Sequence, residues 1–112
     1  MPKKKVEEIL NGLDDQIVDV VGTFIRRRRK DYEKAAIELK NNLRDDVVRY
    51  SELLEARKIS KEDFELLVRG RSALLKIELL EHVSVSKSKF DLVSEDVLRL
   101  ILRSAISVLA AI

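Results

Sequence analysis

The residues with the most evident chemistry in this sequence are five consecutive cations, Arg26, Arg27, Arg28, Arg29 and Lys30. Guanidinium groups hold their charge at any ordinary pH and match phosphate and carboxylate oxygens in a two-pronged geometry. Such a run is a candidate contact for nucleic acid or another phosphate-bearing anion. At 3.6 residues per helical turn, consecutive arginines point in different directions and cannot all meet one flat partner. Lys87 and Lys89 lie in a second polar stretch, Ser84-Val85-Ser86-Lys87-Ser88-Lys89. They would extend the run into a basic belt if the chain folds so that the two stretches meet. The plainer alternative is a solvated collar, with Arg27 paired to Asp31 four residues on. No aromatic platform or recognition-helix pattern accompanies the run.

His82 is the single histidine. A helical-bundle metal site favours Glu-x-x-His, but the residue three before His82 is Leu79, and Glu78 and Glu81 stand at other offsets. Asp14, Asp15, Asp19, Asp45 and Asp46 accompany apolar stripes rather than a pocket, and read as solvated faces. There is no cysteine, no glycine-rich phosphate loop and no nucleophile with a base nearby in sequence. No catalytic residue, metal ligand or cofactor is assigned, and the chain reads as no enzyme.

Composition sets the frame for these groups. The chain has 112 residues, enough for one domain. Charged residues make up 38% and aromatic residues 4%, the balance of a helical bundle or coiled coil. With 22 basic and 20 acidic residues the net charge is +2, so only local clustering can point to an anionic partner. The first residues lead into amphipathic sequence and not an apolar signal core, and no apolar run approaches the roughly 20 residues that span a bilayer. A cytoplasmic protein is expected, with a membrane role disfavoured.

Three helices must position the basic groups. Val6, Leu10, Leu13, Ile17, Val20 and Phe24 repeat at intervals of four and three, an amphipathic helical stripe. The rhythm resumes with Tyr32, Ala35, Ala36, Leu39, Leu43, Val47 and Tyr50. No proline or glycine lies between Thr23 and Lys58. The pattern therefore predicts one helix over 3–58, about 80 Å long. Ser60 and Asp63 form a capping-box pair, with Ile59 and Phe64 placed as a hydrophobic staple, and start a second helix over 61–85. Its main polar seam is Glu65, Arg69, Ser72 and Lys76. Ser94 reads as the cap of a third helix over 94–112, apolar almost all round from Val97 to Ile112.

The short turn near Ile59 folds the last two helices back along the first. The loop around Phe90 then lands beside the Arg run. The expected fold is all-α: a long helix plus a two-helix antiparallel return limb. Two such hairpins would close a four-helix-bundle-like homodimer through Leu67, Leu74, Leu98, Ile101, Leu102, Ala105, Ile106 and Leu109. The competing topology breaks the long helix at 26–30 and builds a four-helix bundle within one chain. The function this supports is a structural or adaptor module for self-association and protein binding. The alternative is a nucleic-acid or anion-binding protein acting through the belt.

Overall fold

The apolar stripe that begins at Val6 does form helix, but in pieces. The computed structural model describes residues 2–110, with side chains from residue 5 onward. Its helices are α1 (Pro2–Asn11), α2 (Asp14–Phe24), α3 (Arg29–Glu55), α4 (Lys61–Leu80) and α5 (Lys87–Ala110). The continuous helix expected over 3–58 is not formed.

The first interruption, at Gly12 and Leu13, is a bend. The Gly12 amide donates to the Glu8 and Ile9 carbonyls, and the ladder resumes when the Ile17 amide donates to Leu13. The second interruption reverses the chain. Ile25 is extended (φ −117°, ψ 126°) and Arg28 is left-handed (φ 59°, ψ 34°). The Arg29 Nε closes the turn by donating to the Ile25 carbonyl at 2.8 Å. The reason for folding back is coverage. A straight helix would leave the first stripe without a partner. After the reversal Val6, Leu10, Leu13, Ile17, Val21 and Ile25 are all buried among residues of α3 and α5. Hydrophobic burial of this extent outweighs one strained turn residue.

Polar contacts set the register along α3. Arg44 donates to Asn11 at 3.0 Å and Lys40 meets Asp14 at 2.7 Å, so α1 and α2 run antiparallel to it. On its other side Arg71 meets Asp46, and the Ser86 amide donates to the Tyr32 hydroxyl at 2.9 Å. That is the antiparallel hairpin expected about the turn near Ile59. Its capping box forms as read, the Asp63 amide donating to Ser60 Oγ and the Ser60 amide to Asp63 Oδ2. Lys76 to Asp91 and Arg69 to Glu95 tie α4 to α5, also antiparallel. The result is an up-down-up-down helical bundle within one chain, 43 × 24 × 18 Å. The 27 residues of α3 span about 40 Å, nearly the full length.

Two boundaries move. α4 ends at Leu80 rather than 85, and α5 begins at Lys87 rather than 94. Ser94 is buried within α5 and its hydroxyl donates to the Asp91 carbonyl, so it caps nothing. Ser86 stands at the start instead, its carbonyl accepting from the Phe90 amide at 2.8 Å. Residues 111–112, including the Ile112 assigned to the last helix, lie outside the described residues.

Lys40 is 2% exposed, and its ammonium rests against the half-exposed Asp14 at the start of α2. A buried cation that loses its partner destabilises far more than the intact pair contributes. Asp14→Asn is expected to lower unfolding free energy by about 1–3 kcal/mol, short of the fully buried case because Asp14 is partly solvated. Lys40→Met, which removes the charge with the partner left at the surface, should change it by less than about 1 kcal/mol. Urea denaturation followed by circular dichroism measures both.

Candidate functional site

The basic run occupies the turn from α2 into α3 and the first residues of α3. Ile25, Tyr32 and Phe90 anchor this end of the bundle in the core. Around them Arg26, Arg27, Arg28, Arg29 and Lys30 are all exposed, as are Lys87 and Lys89 in the first turn of α5. The two stretches do meet. The Ser86–Tyr32 hydrogen bond holds the α4–α5 loop against the first turn of α3. A shallow hollow between them is lined by Arg28, Asp31, Lys34, Glu38, His82 and Ser84.

Three of the seven cations are engaged. Arg28 pairs with Asp31 at 2.8 Å, in place of the Arg27–Asp31 pair expected from helical spacing, because the helix starts only at Arg29. Arg29 is committed to the turn, and Lys87 meets Asp91 at 3.0 Å. Arg26, Arg27, Lys30 and Lys89 form no ion pair among the described residues. α3 and α5 begin at this end and α2 and α4 finish at it, so the helix dipoles largely offset one another around the cations. The left-handed Arg28 adds about 1–2 kcal/mol of backbone strain.

His82 is exposed, its Nε2 3.9 Å from Glu38, and no group of three metal-ligating side chains gathers among the described residues. Among them, too, no helix is long and apolar enough to cross a membrane.

A second surface lies on α4. Its predicted polar seam runs along the edge facing α5 and is only partly solvated. Arg69 and Lys76 turn toward α5 and pair with Glu95 and Asp91, Ser72 is buried, and Arg71 reaches across to Asp46 on α3. Burial of Phe64, Val68, Leu75 and Leu79 fixes the rotation of α4, with these pairs at its rim, and an apolar side is left outward. Leu66, Leu74 and Ile77 are 68, 55 and 57% exposed, with Leu67 at the edge. Gly70 and Ala73 lie between them on the same side, and a Cβ at Gly70 would meet nothing within 4 Å.

Of the residues expected at an oligomer interface, only Leu67 and Leu74 are on this face. Leu98, Ile101, Leu102 and Ala105 are buried in the chain's own core, and Ile106 and Leu109 are half-buried. The folded-back α1–α2 segment and α4 cover the sides of α5 that seemed to need a second copy. Leu66 and Ile77 were missed as surface residues because a sequence wheel cannot tell which apolar side of α4 meets α3. Comparison with protein-family models, curated proteins and solved structures found no match.

Two outcomes follow. Arg28→Gly should raise stability by about 0.5–1 kcal/mol, the relief of left-handed strain exceeding the loss of an exposed ion pair. A thermal melt would measure it. Asp91 accepts from Lys76 and Lys87, and those hydrogen bonds hold its carboxyl below the usual carboxylate range. A depressed folded value means stability that is present above the unfolded carboxyl value, near 4, and is lost as pH falls below it. Asp91→Asn should therefore flatten the stability-against-pH curve below about pH 4, read by denaturant midpoints at a series of pH values.

Proposed function

We propose that this chain is a non-catalytic helical interaction module whose working surface is the outer side of α4, and that it self-associates there. The observation that carries the reading is a second apolar face on α4. Phe64, Val68, Leu75 and Leu79 already fill its core side, and Leu66, Leu74 and Ile77 stand in water on the other. A helix of a monomeric domain normally carries one apolar face and a polar outer one. A contiguous exposed apolar patch in a folded chain marks a contact surface.

Gly70 supports the same reading. Glycine in an exposed helix interior costs about 1 kcal/mol relative to alanine. Among the described residues nothing beyond its own helix backbone lies within 4 Å of a Cβ at that position. A second helix crossing at Gly70 and Ala73 could come close, letting Leu66, Leu74 and Ile77 of each copy interleave about the crossing point. The assembly would be a dimer of complete bundles rather than one bundle shared between chains. The non-catalytic part of the reading rests on the residue inventory, a lone exposed histidine and no thiol.

Gly70→Ala separates fold from contact. It is expected to raise the stability of the monomer by about 0.5–1 kcal/mol, through helix propensity, while weakening self-association. Leu74→Lys should abolish association with helicity intact. Sedimentation equilibrium on parent and variants measures this. A parent chain that remains monomeric at high concentration, or a Leu74→Lys variant that associates as the parent does, would contradict the proposal.

A further inference from the structure

We infer that the basic end of the bundle is a sequence-independent binding surface for the phosphate backbone of nucleic acid. This surface is separate from α4 and does not depend on it. Segment 25–34 carries six cations and two anions, and segment 81–91 carries two of each. One end of the molecule therefore holds four net positive charges on a chain whose total is +2, leaving the remainder two net negative. The turn between α2 and α3 and the loop between α4 and α5 bring these charges together, pinned by the Ser86–Tyr32 hydrogen bond. The amino ends of α3 and α5 at this surface are offset by the carboxyl ends of α2 and α4, so the side chains supply its charge.

The distribution selects the class of anion. Among the described residues Arg26, Arg27, Lys30 and Lys89 have no acidic partner; they are exposed, and are spread around the end rather than converging on a cavity. A single small anion would meet one or two of them. A chain of regularly spaced phosphates can meet several at once, each contact releasing a condensed counterion. The arginines add planar donors suited to phosphate oxygens. An anionic membrane is the other extended array of phosphates, but a membrane-docking face also inserts apolar side chains. Here Ile25, Tyr32 and Phe90, which lie between the cations, are turned into the core, and the apolar side chains left outward near them, Phe24 and Leu92, stand on two separate helices rather than on one inserting face. Phe24 alone is an exposed aromatic at this end, at its edge, where an unpaired base could stack on it. With no other side chain placed to read bases, binding is set by phosphate contacts and is indifferent to sequence.

The test is fluorescence anisotropy of the full chain with a labelled oligonucleotide of mixed sequence, as single strand and as duplex, over a series of salt concentrations. Binding should be visible at low salt and weaken steeply as salt rises, with a log–log slope of about −2 to −4 for the four unpaired cations. A variant carrying Arg26→Gln, Arg27→Gln, Lys30→Gln and Lys89→Gln alters only exposed side chains and should keep its fold by circular dichroism. It should bind at least about tenfold more weakly, with a much flatter salt slope. Lys58→Gln with Lys61→Gln, at the opposite end of α3, should bind as the parent does. Three results would overturn the assignment: no binding to either oligonucleotide at the lowest salt, undiminished binding by the fourfold variant, or co-flotation with vesicles rich in anionic phospholipid by a chain that ignores the oligonucleotides.

Discussion

The structure depends on the need to cover one apolar stripe. Val6, Leu10, Leu13, Ile17 and Val21 line a helical segment with no stable existence in water unless something packs on it. A chain that stayed straight would have to recruit a second molecule. The reversal at Ile25 to Arg28 lets the chain cover itself, and the remaining arrangement follows. With α1 and α2 antiparallel along one side of α3, α5 can settle between them and α3, which buries Val97, Ile101 and Ala105. α4 is then left on the outside, resting mainly on α3 and held to α5 by charged pairs at its rim. The interior is closed by one chain, and surfaces that look spare in the sequence are used up.

That closure separates the two places where the chain departs from rules that would make it more stable. At the basic end a non-glycine residue adopts a left-handed conformation and five like charges follow one another in sequence. On α4 a glycine occupies an exposed helix interior among leucines facing water. Elsewhere most local choices agree with the fold: acids open α2 and α4, Ser60 and Asp63 cap each other, and the buried Lys40 has Asp14, with the left-handed Arg57 after α3 a further exception. Both readings of function rest on these departures rather than on any likeness to another protein.

Much of this fold can be read from the residues. The stripe positions, the capping box at Ser60, the α3–α4 hairpin and the meeting of the Arg run with Lys87 and Lys89 all follow from spacing and turn chemistry. The break at 26–28 does not, because its cause is not local. Arginine is a good helix former, no glycine or proline marks the turn, and only the total burial gained by folding back decides against continuity. Ser94 misleads for a related reason. A serine followed by acids is a sound cap signal, but the apolar positions Phe90 and Val93 pull the preceding turn into the core and into helix. The outward side of α4 was hidden because apolar residues surround most of that helix. Burial of Phe64, Val68, Leu75 and Leu79 against α3 decides it, and that choice is visible only once the other helices are in place.

The reversal is the claim on which everything else stands, and one distance tests it. The chain has no cysteine of its own, so Asn11→Cys with Arg44→Cys gives two unique labelling positions, on side chains that touch in the folded-back structure at 3.0 Å. Spin labels there, with doubly labelled chains diluted into unlabelled ones so that only distances within one molecule count, should lie within about 20 Å of each other, allowing for the label arms on two packed helices. A continuous helix from 11 to 44 would place them about 50 Å apart at 1.5 Å per residue. The short distance is the result this account predicts. The long one would mean that the stripe is covered by a second chain, and that the buried face of α5 is an interface after all.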